Sequence, residues 1–410
     1  MVTGRLLLAV AGAVLPWWLQ AAEVNLGFLA APEYHGSNRD SPYYAGPPTV
    51  RSDHATSRQD LGLKVREGGF FAEGTLRWIA GEGGAHESHG IANQLYYDGA
   101  VTPGVNWSIG RKVLSWGVGF ALRPLDVVQR EDRRAVNPAA LVGIPLIAMD
   151  HFTADQAWTV AWLNPGTGSD NTDRKDEALA LRWYRFSGSD DFHAVARLSR
   201  QRRLEAGLGT TRVLGDDWSI YGAALYAERY GKVLNSLAEG GSTLFDLRDP
   251  RTRVYRHHGA KAVIGAQWTG VSGWSLLGEI FYDGDAYTRD DWRRLDDLTR
   301  RQSAAAAFVP PALLAANVAW SSQAYRSPSL LRQNLLLRLS YDDGDGFKPY
   351  LEMLLTPEDG GHVGTAGVSY ARNRQRFSGG LRHVGGPGDS VYGRSPEKNI
   401  FWIEWQVSAF

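Results

Sequence analysis

Cysteine is absent from this 410-residue chain, and that gap removes a lipoprotein anchor, a disulfide framework and any cysteine-ligated metal. Excess charge of either sign is absent too, with 44 basic residues against 44 acidic ones. That balance argues against a nucleic-acid binder and against strong ion selectivity by bulk charge, though local charge in a constriction can still select. No apolar run after Leu19 is long enough for a membrane helix, which needs about 20 residues.

What is present points elsewhere. The chain holds 15 Trp, 17 Tyr and 47 Gly, and interfacial girdles of a membrane barrel use tryptophan and tyrosine at this level. At the N-terminus, one positive charge at Arg5 precedes an apolar run from Leu6 to Leu19 and then Gln20-Ala21-Ala22. This reads as a secretory signal peptide over 1–21, with Leu19 and Ala21 at the −3 and −1 positions; a retained anchor is the alternative. Residues 22–410 then form one domain. Without Arg5 its net charge is −1.

From Ala22 to Phe410 the chain divides into about eighteen segments of roughly ten residues, with sixteen the nearest alternative. Apolar and polar residues alternate within them. Leu179, Leu181 and Trp183 oppose Arg182 and Tyr184; Trp274, Leu276, Ile280 and Tyr282 oppose Ser275, Leu277, Glu279 and Phe281. Leu335, Leu337, Leu339 and Tyr341 oppose Asn334, Leu336, Arg338 and Ser340, and Leu351, Met353 and Leu355 oppose Tyr350, Glu352 and Leu354. Period 2 puts each set on its own face of a strand. Leu277, Phe281, Leu336 and Leu354 interrupt the polar face, and a soluble β-sandwich has the same period.

Connection lengths decide between these. Even-numbered segments end in tight turns such as Arg66–Gly69, Thr102–Gly104, Leu214–Asp217, Thr269–Gly273 and Asp342–Gly346, rich in Gly, Pro and Asp. Odd-numbered ones lead into long polar stretches near 35–57, 81–92, 114–143, 230–257, 284–327 and 386–397, except for short links near 200–202 and 358–361. Two rims of this kind predict an all-β transmembrane antiparallel up-and-down barrel, with short periplasmic turns and long extracellular loops, in a Gram-negative outer membrane after Sec export. Outer-membrane lipid, lipopolysaccharide and the barrel-assembly machinery are the partners this implies. The C-terminal strand carries Phe401, Ile403, Trp405, Val407 and Ala409 on one face and Glu404 on the other. Phe410 resembles a terminal aromatic assembly signal, off parity by one residue. Tyr287–Ala307 reads as a charged helix ended by Pro310-Pro311, either solvated on a loop or serving as a plug.

The densest chemistry lies in 114–143, expected to fold into the barrel. Ser115, Trp116 and Gly117 are followed by Arg123, Pro124 and Asp126, then Arg130, Glu131, Asp132, Arg133 and Arg134, and Asn137-Pro138. Both signs of charge within twelve residues suit a constriction that orients polar solutes; the same residues also suit a loop tied to the wall that blocks the pore. Arg182, Glu279, Arg338, Glu352 and Glu404 are the expected lumen-facing charges. Ser115-Trp116-Gly117, Arg123-Pro124-x-Asp126 and Asn137-Pro138 resemble the Trp-Gly … Pro-x-Asp segment of a group of outer-membrane barrels. That group includes alginate-export-like channels and uncharacterised barrels encoded beside transporters. The resemblance implies a channel for passive, substrate-selective passage or export of a polar solute or an envelope polymer, handed on by a periplasmic export partner where there is one.

Enzymatic readings have little support. No G-x-S-x-G elbow occurs, and His151 with Asp150 and Asp155, or His257-His258, lacks a partner placed by spacing. Asp170–Asp176 and Asp342–Asp345 read as turns rather than Ca²⁺ loops, so neither metal nor cofactor is expected. Tyr96, Tyr97, Trp183, Tyr184, Tyr221 and Tyr350 are candidates for a sugar-stacking track or for belt and lumen packing. The competing function is a sealed structural or assembly barrel of an envelope, secretion or electron-transfer complex.

Overall fold

The computed structural model describes residues 22–44, 53–81, 86–129, 131, 133, 135–166, 176–240, 243–342 and 344–409. The signal segment, Arg130, Asp132, Arg134 and Phe410 lie outside them, as does most of the Asp170–Asp176 run.

The described residues form one 18-stranded antiparallel sheet in which each strand pairs with the next and the last returns to the first. The strands open with β1 (Glu23–Ser37), β2 (His54–Glu67), β3 (Phe70–Gly81), β4 (His86–Thr102), β5 (Val105–Lys112) and β6 (Ile144–Phe152). The middle run is β7 (Gln156–Leu163), β8 (Ala178–Ser187), β9 (Asp190–Ser199), β10 (Arg203–Leu214), β11 (Trp218–Asn235) and β12 (Arg251–Thr269). It ends with β13 (Trp274–Asp283), β14 (Gln333–Tyr341), β15 (Phe347–Thr356), β16 (Gly361–Arg372), β17 (Gln375–Gly385) and β18 (Glu397–Ala409). Closure of β1 on β18, from Leu26↔Ala409 to Ser37↔Glu397, leaves no edge strand, which a lipid setting requires.

Alternation works as expected, with the apolar face outward. Ile264, Ile280 and Ile403 are 73%, 67% and 63% exposed, and Leu179, Leu337 and Leu351 stand on the same outer surface. A soluble sandwich would bury such a belt, so the belt separates the two all-β readings. Leu277, Phe281, Leu336 and Leu354 face inward and are buried in one apolar cluster with Trp116 and Leu125. They interrupt the polar face because other chain segments pack on them from inside the barrel.

Two predicted loops are shorter than their composition suggested. β4 begins at His86, and β11 and β12 reach Asn235 and Arg251, so the ladder pairs through the polar stretches near 81–92 and 230–257. A strand that projects into water tolerates polar residues on both faces, which hides it from a composition-based reading.

The 284–332 connection departs most from expectation. Helix α1 (Arg289–Ala304) begins at a capping box, in which Asp291 N–H donates to Thr288 Oγ1 and Thr288 N–H to Asp291 Oδ2. Pro310-Pro311 does not merely end it: Pro311 sits at the first turn of a second helix, α2 (Pro311–Ser322), where a missing N–H costs nothing. α1 is not a solvated helix. It buries Trp292, Leu295, Leu298 and Gln302, and Trp292 Nε1 donates to Leu330 O at 2.7 Å. Lys232 Nζ on β11 meets Asp291 Oδ2 at 2.7 Å, while Arg394 and Tyr43 both hold Asp296. The helix pair is an inner cap fixed to the wall.

Candidate functional site

Residues 113–143 connect β5 to β6 and turn into the barrel. The local fold follows from glycine and one carboxylate. A side chain at Gly117 would place its Cβ 2.4 Å from Arg123 Cβ, and Gly119 has φ +121°. The turn thus allowed brings Asp126 back under the segment. Asp126 Oδ1 accepts from Trp116 N–H and Gly117 N–H, both at 2.6 Å, and Ser115 Oγ donates to it at 3.2 Å. Arg123 donates through Nε to Gly119 O at 3.0 Å and through Nη1 to Ser115 Oγ at 3.1 Å. Burial pushes the Asp126 carboxyl above its usual range, against the pull of the two N–H donors. The sequence motif therefore closes a turn: Ser115, Gly117, Arg123 and Asp126 brace it, while Trp116 and Pro124 are buried.

The tip of the segment docks on the wall at Glu279 of β13. Phe120, Ala121 and Leu122 N–H groups donate to its carboxylate at 2.7, 2.9 and 3.1 Å, and Tyr221 Oη of β11 adds a fourth bond at 2.7 Å. Phe120 then lies beneath Arg338 of β14, whose guanidinium is 5.3 Å from that ring and 4.0 Å from Tyr350 of β15. Glu352 completes the cluster at 2.8 Å from Arg338 Nη1. Farther along, Arg133 pairs with Glu131 at 3.2 Å, Asn137 O accepts from Arg58 Nη1 of β2, and Asn137 Nδ2 donates to Glu33 of β1 at 2.7 Å.

Between this segment, the inner cap and the wall lies a cavity of about 930 Å³. Its lining holds the charged residues Arg58, Arg133, Arg382, Glu33, Glu352 and Glu397 together with the apolar Phe281, Leu336, Leu354, Val363 and Val384. Tyr325, Arg326 and Leu330, in the stretch that follows α2, close it from the capped side. Arg58 Nη2 is shielded from solvent and has no hydrogen-bond partner among the described residues.

Among the sequence-predicted residues, Arg133 and Glu352 line the cavity. Arg338 stands just behind it, and Glu279 is covered by the segment it anchors. Arg182 stacks on Tyr184 in another part of the wall, and Glu404 accepts from Ser378 Oγ at 3.4 Å. The aromatic candidates divide: Tyr97 is on the outer surface, Tyr96 stacks on Phe71, Trp183 meets Trp158, and Tyr221 and Tyr350 serve the segment. They form no continuous track. Sequence reasoning missed Glu33, His35, His54, Arg58 and Arg382, which come together only when β1, β2, β17 and β18 close the barrel; His35 and His54 fell in the expected loop near 35–57, whereas they end β1 and begin β2.

No family model matches the chain, and no curated protein is similar to it in sequence. Solved structures are similar in fold. OccAB1 of Acinetobacter baumannii superposes with a TM-score of 0.53 at 10% identity, covering 95% of this chain and 97% of that one. A BenF-like porin from Pseudomonas fluorescens Pf-5 gives 0.54 at 8% identity, over 95% and 99%. OpdK of Pseudomonas aeruginosa, in a crystal structure with vanillate, gives 0.52 at 8% identity, over 94% and 98%. At such identities the likeness is one of fold, and it extends over nearly the whole length of both chains.

Proposed function

We propose that this chain is an outer-membrane channel through which a small organic anion with an apolar body passes down its gradient, selected in the lumen chamber. The mixed lining of that chamber carries the reading: Arg58, Arg133 and Arg382 offer donors to a carboxylate while Phe281, Leu336 and Leu354 offer apolar contact. A volume of about 930 Å³ is the size of a small-molecule site. The fold shared with a BenF-like porin, and with OpdK crystallised with vanillate, an aromatic carboxylate, supports the same class of solute. The resemblance of the Trp116–Asp126 motif to export-type barrels also admits an envelope polymer. A chamber capped by two inward segments, with no continuous aromatic track, favours the smaller cargo. In this reading the short turns face the periplasm, and lipopolysaccharide and the assembly machinery meet the barrel from outside.

A second reading has its own observation. Trp116, Leu125, Phe281, Leu331 and Trp292 belong to one apolar cluster that reaches from the 113–143 segment to the helical cap. A lumen filled in this way suits a sealed barrel that serves an envelope complex. Single-channel recording of the refolded chain in a planar bilayer separates the two. The channel reading expects steady conductance, a rise when 114–143 is deleted, and block by an added aromatic carboxylate. Silence in both forms would move the assignment to the sealed barrel.

A further inference from the structure

β1, β2 and β18 bring two imidazoles and a carboxylate to one corner of the chamber. His35 of β1 pairs directly with His54 of β2, and their rings stack at 4.7 Å, 6° from parallel. On the other side of β1 the ladder slips by one residue at Gly36/Ser37, setting Ser37 opposite Glu397. Glu397 Oε2 consequently lies 3.2 Å from His35 Nδ1. One donor atom from each of the three residues lies within 4.8 Å of the other two.

A second feature sits behind the first. His35 Nε2 is 3.1 Å from Glu33 Oε2, and the other oxygen of Glu33 accepts from Asn137 of the inward segment. A carboxylate on the far nitrogen of an imidazole fixes its tautomer and its ring plane, the arrangement that supports metal-ligating histidines. It turns Nδ1 of His35 toward Glu397 and His54.

We propose that His35 Nδ1, a ring nitrogen of His54 and a carboxylate oxygen of Glu397 bind a divalent transition cation of the Zn²⁺ class, with Glu33 as a positioning residue. Two imidazole nitrogens and one carboxylate oxygen form a donor set that zinc accepts with a fourth position left open, whereas Mg²⁺ and Ca²⁺ prefer oxygen. Zinc bonds of about 2.0–2.2 Å require the donors to close to roughly 3.3 Å, which side-chain rotation at the strand ends supplies. Binding releases the Nδ1 proton of His35 to solvent. All three residues line the chamber, so the open position faces the space a solute occupies.

The test is a zinc titration of the folded, full-length barrel in detergent, with bound metal counted after dialysis. One Zn²⁺ per chain is expected, unmoved by a large excess of Mg²⁺. His54→Ala and Glu397→Gln should each weaken it at least tenfold, and Glu33→Gln should weaken it roughly 10–100-fold without abolishing it. The visible absorption of a Co²⁺-substituted sample should change in the Glu33 variant, which a merely structural role would not cause. His383→Ala, in the separate His362–His383 pair, should leave zinc binding unchanged. Heat-modifiable mobility on a gel shows that each variant is folded; His54 is the first residue of its strand, and His54→Gln serves if the alanine variant misfolds. No retained zinc, zinc displaced by Mg²⁺, or equal retention by the folded His54 variant would overturn the site. Since the titration needs no current, its result is independent of whether the barrel conducts.

Discussion

Glu279 illustrates how a single residue controls the lumen. A carboxylate buried at 1% exposure is expensive unless its oxygens are satisfied. Here three successive backbone N–H groups and a tyrosine hydroxyl satisfy them, so wall and segment each fill the other's need. Glu279→Ala would leave those N–H groups without an acceptor, at about 1–3 kcal/mol each and with incomplete additivity. A net loss of roughly 3 kcal/mol corresponds to about a hundredfold faster amide exchange at Phe120–Leu122. Unchanged protection of those three amides would mean that the apolar contacts of Trp116 and Leu125 hold the segment without Glu279. The sequence marked Glu279 as inward by parity, and that is as far as alternation goes. Three of its four partners lie more than 150 residues away and are backbone groups, which leave no trace in residue type. Asp126 was legible as charge for the same reason that its role was not, since its acceptor function depends on a turn only Gly117 and Gly119 permit.

At the scale of elements, the strands were the readable part. A lipid-facing side must be apolar along its whole length and the other side need not be, so eighteen weak signals reinforce one another. Leu337 of β14 tests the register. It stands 44% exposed between Leu335 and Leu339 on the outer face, so Leu337→Arg should destabilise the barrel by about 2–4 kcal/mol near the bilayer midplane. Equilibrium unfolding in urea with lipid vesicles measures this. A neutral substitution would place the residue inside the lumen, a register error of one. The helices of 284–332 were less readable because their pattern is that of a capped surface helix, with Asp-Arg spacing and a clear start. What buries α1 is distant in sequence: Lys232 of β11, Tyr43 and Arg394 come from three other connections or strand ends. Amphipathic periodicity shows that one face wants a partner, and it does not say whether the partner lies outside the barrel or within it.

At the scale of the whole molecule, a neutral chain has to make any selectivity locally. Acidic and basic residues cancel over the sequence, yet the chamber gathers Arg58, Arg133, Arg326 and Arg382 while Glu33, Glu352 and Glu397 are engaged by Asn137, Arg338 and His35. Four arginines against three carboxylates line the space, so the excess that a passing solute meets is positive. The apolar side chains in the same lining lower the local dielectric and focus that field into the narrow space. Replacing Arg58 and Arg382 together by alanine should therefore shift the reversal potential in a KCl gradient toward cations. It should also slow the on-rate of carboxylate block by roughly tenfold or more, with a smaller effect at high salt. The same double substitution at Arg212, beside the short turn after β10, and Arg251, at the loop end of β12, changes total charge equally and should do neither. If both pairs shifted the potential alike, selectivity would belong to the rims of the barrel, and the chamber would be reduced to a passage.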